Sequence, residues 1–352
     1  MVGQRAGVCC WAAALAAVLS CASEVQDRNA LLHADPTVCP EINVNVGRSV
    51  RVLACRQAWI GGMAADAEYL YFVAGDTLDA PYANTVKRLA LAGGPVQTLA
   101  TFDAVHRLPK DTSAENGGWL AVNSTQVVWS VPSTGQILAI PREGGDPTEL
   151  AEDQDVPLRL ALDESRVYWT NWSSCGGSCA KGSVRSVALS GDADPVTIAT
   201  NQDHPNGITV DAVSVYWVTA GGNVMKAPIV GGQSIALASG LMNPFFVTVD
   251  ATTVYWTLPK AVMSCPILGC NKRPTQIASG LQAPNVVVGD ATALYFSDWD
   301  AGSVHKLVKG HREPTLIAKG LEHPDVVVVS GQQVYWYTAG AEGTIMTAPI
   351  GP

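Results

Sequence analysis

The chain is 352 residues long with a formal net charge of −9; 47% of its residues are hydrophobic and 15% charged. Such a length could hold two ordinary domains, and the apolar content suits a β-rich globular protein. The acidic balance argues against a nucleic-acid partner and against an anionic membrane held by a basic patch. The nearest basic cluster, Lys309 to Arg312, reads as a solvated turn.

The N-terminus predicts export. Met1 to Arg5 carries one positive charge, and Ala6 to Ser20 is apolar apart from Gly7 and Ser20. This is the pattern of a secretory signal peptide over residues 1–20, too short to span a bilayer comfortably. Losing Arg5 and no acid brings the mature charge to −10. Val18-Leu19-Ser20-Cys21 resembles a bacterial lipobox. The resemblance implies a lipidated Cys21 and a membrane gripped through acyl chains; ordinary cleavage near Ala22 or Ser23 is the alternative. Residues 21–40 then form the lipidated cysteine and its tether, and 41–352 the folded domain. The expected location is the bacterial cell envelope, as a membrane-anchored lipoprotein or a secreted protein, and not the cytoplasm.

Six further cysteines follow: Cys39, Cys55, Cys175, Cys179, Cys265 and Cys270. An even set in an exported chain reads as disulfides. Neighbouring pairs give Cys39–Cys55, Cys175–Cys179 and Cys265–Cys270. A zinc site would need two of these pairs to meet in space, and the repeat map places Cys175 and Cys265 two repeats apart.

An aromatic pair recurs along the domain: Tyr71-Phe72, Val128-Trp129, Tyr168-Trp169, Tyr216-Trp217, Tyr255-Trp256, Tyr295-Phe296 and Tyr335-Trp336. Between second members the steps are 57, 40, 48, 39, 40 and 40 residues. A β-rich unit with a period near 40 residues predicts a propeller, one blade per repeat. The unit is clearest as Asn243 to Asp250, Thr253 to Thr257, Ala261 to Ile267 and Thr275 to Gly280, four short β-rich runs (a to d) broken by turn residues. The last repeat lacks strand d. Val52 to Asp66 aligns without a gap on Ala236 to Asp250, so residues near 50–55 are predicted to supply it and close the ring. The fold class is therefore all-β, a seven-bladed propeller with four antiparallel strands per blade; six or eight blades are the alternatives.

Here the chain resembles known families. Val-Tyr-Trp-Thr at 167–170 and 254–257 and Tyr-Phe-Ser-Asp at 295–298 are similar to the Tyr-Trp-Thr-Asp blades of receptor propellers. Pro205 to Asp211 resembles the blade start of NHL and gluconolactonase-type propellers, and residues 50–350 as a whole resemble TolB-like propellers of bacterial secreted lipoproteins.

The recurring Asp66, Asp163, Asp211, Asp250 and Asp290 end strand a and read as turn-setting residues. The strand-b aromatics read as core packed between blades. No G-x-S-x-G elbow, H-E-x-x-H motif or metal-spaced histidine pair is present, so neither a catalytic set nor a cofactor or metal is expected. What remains is the face on which the d–a and b–c connections meet around the channel. There the candidate ligand residues are Asn171, Trp172, His204, Asn206, Asn285, Asp298, Trp299, His323 and Asp325. Insertions at 75–85, 101–118 and 171–182 fall on the same side, where ligand loops are expected. The favoured function is a non-catalytic binding or scaffold module for a peptide, glycan or protein partner. The gluconolactonase resemblance implies the alternative, a metal-assisted hydrolase or lyase, with Asn206 matching one metal-binding position and Asp325 and Asp298 the nearest acids.

Overall fold

The computed structural model describes residues 39, 50–57, 59–75, 84–102, 118–173, 181–271, 273–340 and 343–351. Met1–Pro40 and Glu41–Pro352 are separate units, and the second is a seven-bladed propeller.

Blade 1 runs Ile60–Ala65, Tyr69–Ala74, Thr85–Ala90 and Gln97–Thr101; blade 2 Leu120–Val122, Gln126–Val131, Gln136–Pro141 and Thr148–Ala151. Blade 3 is Pro157–Leu162, Arg166–Asn171, Gly182–Ala188 and Val196–Gln202; blade 4 Pro205–Val210, Ser214–Thr219, Asn223–Pro228 and Ile235–Ala238. Blade 5 is Val247–Val249, Thr253–Leu258, Ala261–Pro266 and Thr275–Ala278; blade 6 Pro284–Gly289, Ala293–Asp298, Ser303–Val308 and Thr315–Lys319. Blade 7 joins Pro324–Ser330, Gln333–Thr338 and Thr344–Pro349 to Arg51–Ala54, whose Arg51 pairs with Thr347 and Val52 with Met346. The chain ends thus meet in one sheet, as the gap-free repeat match predicts. Closure leaves no blade face open to water.

The strand-b aromatics are the core. Trp129, Trp169, Trp217, Trp256 and Trp336 are fully buried, with Phe72 and Phe296 in the two remaining blades. The aspartates closing strand a set the turns as expected. In each of five blades Oδ1 accepts the backbone N–H groups two or three residues on, as at Asp163 from Ser165 and Arg166. The second half of this device is a tyrosine: Oδ2 accepts the hydroxyl of the tyrosine five residues on, in Asp66–Tyr71, Asp163–Tyr168, Asp211–Tyr216, Asp250–Tyr255 and Asp290–Tyr295. Both aspartate oxygens are occupied, so these carboxylates are structural.

Adjacent blades are stitched near the channel by strand-b hydroxyls. Ser130 Oγ donates to the Leu158 carbonyl, Thr170 Oγ1 to that of Asn206 and Thr257 Oγ1 to that of Asn285. Cys265 and Cys270 form a disulfide across the c–d turn of blade 5. Cys39 and Cys55 are both disulfide-bonded. Cys21, Cys175 and Cys179 lie outside the described residues. A structural disulfide suits an oxidising, extracellular environment.

Candidate functional site at the loop face

Strand alternation places every b–c connection and every d–a crossover on one face, here called the loop face, and every a–b and c–d turn on the other, the turn face. Each described crossover is built alike. A residue with positive φ (Arg56, Asp153, Asn201, Gly240, Gly280 or Gly320) is followed by Gln57, Gln154, Gln202, Leu241, Leu281 or Leu321. The backbone N–H of that residue donates to a b–c glycine of the preceding blade in four cases, for example Gln154 to Gly135 and Leu321 to Gly302. Two of the three glutamines serve the core as well, while Gln57 Nε2 donates to the Cys55 carbonyl. Gln202 Oε1 accepts the Trp217 indole N–H at 2.9 Å, and Gln154 Oε1 that of Trp169 at 3.3 Å.

The rim residues stand on this frame. Trp172 and His204 pack with ring centroids 4.9 Å apart, and Trp299 and His323 repeat the arrangement at 4.9 Å. In both pairs the tryptophan follows strand b of one blade and the histidine precedes strand a of the next. Both histidines hold left-handed backbones, φ 47° and 48°. His204 Nδ1 lies 2.8 Å from Asp203 Oδ1. Among the described residues nine non-glycine residues have positive φ, and all but Asn271 sit on the loop face. One of them, Val156 at 58°, is β-branched, where this conformation is most costly. Backbone strain concentrated on one face is a mark of functional surfaces.

Side chains meet across the channel below. Trp119 of blade 2 reaches Phe246 of blade 5 with centroids 5.5 Å apart, a contact between blades that are not neighbours. The Arg159 guanidinium lies 4.0 Å from the Trp119 ring centroid and 5.5 Å from that of Phe246. All three side chains are buried. Glycines let the innermost strands come together here: a Cβ at Gly62 would stand 2.8 Å from Leu120 N, and one at Gly207 2.8 Å from Phe245 O. Neither position admits a side chain without moving backbone.

The predicted residues divide into three groups. Trp172, His204, Trp299 and His323 form the two stacked pairs. Asn206, Asn285 and Asp325 follow the prolines that open strand a in blades 4, 6 and 7, where Asn285 Nδ2 donates to Asp325 Oδ1 at 2.6 Å. Asn171 and Asp298 are absorbed by the fold. Asn171 bonds Trp169, Gln154 and Ser183, and the Asp298 carboxylate accepts the backbone N–H groups of Gln282 and Ala283 at 2.9 and 2.7 Å. The three insertions connect strands whose ends lie on the loop face, but residues 76–83, 103–117 and 174–180 are outside the described residues. Two exposed residues of this face went unremarked in the sequence: Met242, 78% exposed, and Trp59, 37% exposed. Both lie on crossovers, where the repeat register alone would have flagged them.

The metal ligands implied by the gluconolactonase resemblance do not fit. Asn206 Oδ1 faces the Arg159 Nε at 3.4 Å, so a fixed positive charge stands beside the amide that would bind a cation. Asp298 is committed to backbone donors. Among the described residues no three His, Cys, Asp or Glu side chains are grouped to hold a metal.

The fold finds its likeness in solved propellers. Virginiamycin B lyase from Staphylococcus aureus superposes with a TM-score of 0.64 at 12% identity, covering 86% of this chain and 98% of that one. A catalytically inactive His-to-Ala variant of that enzyme with quinupristin gives 0.63 at 12% identity, covering 85% and 99%. A nidogen/laminin complex gives 0.52 at 18% identity, covering 70% and 91%. This is a β-propeller by structure. No protein-family model and no curated protein matches the sequence. At these identities the likeness speaks for architecture alone.

Proposed function

We propose that the protein is an exported, lipid-anchored propeller that binds a peptide, glycan or protein partner on its loop face without catalysing a reaction. The observation that carries the reading is the repeated Trp–His stack, Trp172–His204 and Trp299–His323. Two aromatic pairs with polar tips on a strained rim suit a partly apolar ligand. The Trp119–Phe246 contact across the channel supports surface binding over entry of a substrate into the ring. The propeller in the nidogen/laminin structure is that of a protein complex, which is the kind of use proposed here.

The second reading, a metal-assisted lyase or hydrolase, draws on the likeness to virginiamycin B lyase. Arg159 beside Asn206 counts against it. Elemental analysis of the dialysed protein separates the two: a stoichiometric divalent metal favours the enzyme. Partner recovery with Trp172→Ala and Trp299→Ala tests the face. Loss of the partner from both folded variants is expected. If both retain every partner while turn-face changes abolish binding, the face is misassigned.

A further inference from the structure

The seam between blades 2 and 3 holds a cavity of about 620 Å³ on the outer wall of the ring. One side is formed by Thr148–Ala151, strand d of blade 2, and the other by the c–d connection of blade 3 at residues 191–195. Ligand sites commonly enclose about 300–1,000 Å³.

The two sides are tied together. Arg185, on strand c of blade 3, donates through Nη1 to Gln154 Oε1 at 3.0 Å, on the crossover leaving blade 2, and through Nη2 to the Pro195 carbonyl at 3.1 Å. Its Nε is buried without an acceptor. Leu150 and Ala151 are buried, and a Cβ on Gly191 would lie 3.6 Å from Leu150 Cδ2.

One side is an open strand edge. Thr148–Ala151 is the last strand of its four-stranded sheet and pairs with Gln136–Pro141. Among the described residues no strand lies along its other edge. Every blade ends in such an edge; this one has a cavity beside it.

The charge is one-sided. Glu149 and Glu152 line the blade 2 side and Asp192 and Asp194 the blade 3 side, all four exposed. From Glu143 to Leu158 the chain has six acids and no Lys or Arg, and from Ser186 to Met225 it again has no Lys or Arg. The other described cations of these two blades stand elsewhere. Arg142 is paired with Asp66 of blade 1, Arg159 is buried in the channel, Arg166 bonds Ser186, and exposed Lys181 stands at the loop end of blade 3. Arg185 alone lines the cavity, and both its terminal nitrogens are engaged within the fold.

We propose that this cavity takes an extended basic segment of a partner protein, laid along Thr148–Ala151 as a fifth strand of blade 2. Main-chain hydrogen bonds to the open edge supply affinity, and Lys or Arg side chains meeting Glu149, Glu152, Asp192 and Asp194 supply selectivity. Four strand residues span about 13 Å, so a segment of about four to six residues fits. The site shares no residue with the Trp–His rim, so it and the loop-face reading stand or fall separately.

The test titrates the full exported protein into a fluorescent, end-blocked hexapeptide of alternating Thr and Lys and follows anisotropy. Saturable binding is expected. Asp192→Asn with Asp194→Asn should weaken it about fivefold or more, as the loss of two ion pairs implies. Glu313→Gln, an exposed acid on the c–d connection of blade 6, should leave it unchanged. The same peptide with alternate backbone nitrogens methylated keeps its charge but cannot pair as a strand, and should bind about tenfold or more weakly. That arm needs no variant and stands even if the Asn pair alters melting. The proposal is overturned by no binding of the unmethylated peptide, by equal binding of the methylated one, or by an Asn pair of unchanged melting that binds like the parent. Weakening by Glu313→Gln as large as by the Asn pair overturns it too, since net charge would then suffice. So does spermidine that binds as tightly and displaces the peptide, which would assign the cavity to a small polycation.

Discussion

Gln202 Oε1 accepts the indole N–H of Trp217 at 2.9 Å, and the same place above Trp256 is held by Leu241. The Trp129, Trp256 and Trp336 indole nitrogens are buried without a protein partner; the crossover into blade 2 lies mostly outside the described residues, and in the other two blades the crossover residue is leucine, Leu241 and Leu321. Where leucine meets phenylalanine, as Leu281 meets Phe296, no donor is stranded. Of the six described crossovers, Gln154 and Gln202 meet tryptophan and Leu281 meets phenylalanine, while Leu241 and Leu321 stand at tryptophans and Gln57 at Phe72, so three pairings match and three do not.

Restoring the match should stabilise the ring. Leu241→Gln and Leu321→Gln are each expected to raise stability by about 1 kcal/mol, the net worth of a buried hydrogen bond. Gln202→Leu should lower it by about 1–3 kcal/mol, because it strands Trp217. Calorimetric melting of the three variants reads both signs, and a Leu241→Gln variant that melts lower would refute the pairing rule.

The stability of the ring should fall in acid. Asp250 is the clearest case: burial alone would raise its carboxyl, but the Lys309 ammonium, the Thr252 N–H and the Tyr255 hydroxyl outweigh burial and hold it well below the usual range. Asp66, Asp163 and Asp290 are lowered as well, burial again being outweighed by turn N–H groups and tyrosine hydroxyls. Depressed folded values mean stabilisation that is complete above the unfolded carboxylate range of about 4 and lost as pH falls through the folded values. The melting temperature should drop steeply below about pH 4. Asp250→Asn keeps the turn cap but not the charge, so its decline in acid should be shallower than that of the parent. At the alkaline end the partner tyrosine is protected: burial, then the Asp250 carboxylate, push the Tyr255 hydroxyl up to about 12.

Gly62→Ala and Gly207→Ala should each destabilise by about 1–3 kcal/mol, as overpacking of a closed core does. The added methyl meets the backbone of the next blade in both cases, 2.8 Å from Leu120 N and 2.8 Å from Phe245 O. Denaturant unfolding measures the loss. Equal stability of both variants would mean that the innermost strands are not pressed together as described.

The cysteine chemistry has its own checks. Non-reducing peptide mapping should find Cys265 joined to Cys270, Cys39 to Cys55 and Cys175 to Cys179. Because the first closes so short a loop, Cys265→Ala with Cys270→Ala should cost about 2 kcal/mol. Intact mass of the exported protein should carry the acyl chains at Cys21; a free thiol there rules out the anchor.

Blade number and ring closure were legible because both rest on local pattern. The aromatic pair returns once per blade, and Val52 to Asp66 matches Ala236 to Asp250 residue for residue. The site was legible only in part. His204 and His323 could be placed on the rim by their shared His-Pro position, but their stacking on Trp172 and Trp299 joins separate stretches of chain. Asn171 and Asp298 looked like ligand groups and instead bond inward, since nothing in their local sequence says which way a loop amide or carboxylate turns. The Trp119–Phe246 contact lay further out of reach. It joins blades across the channel, and no period in the sequence relates the two residues.

Closing the ring with Arg51–Ala54 against Thr344–Pro349 fixes the order in which this protein can become itself. The earliest strand of the domain to leave the ribosome has as its mate the latest. Until that mate arrives, blade 7 has no outer strand, the interfaces on either side of it are open, and the highest-separation contacts of the fold are unmade. Contacts of such long sequence separation slow folding. The ring is stapled shut only when that last strand is in place.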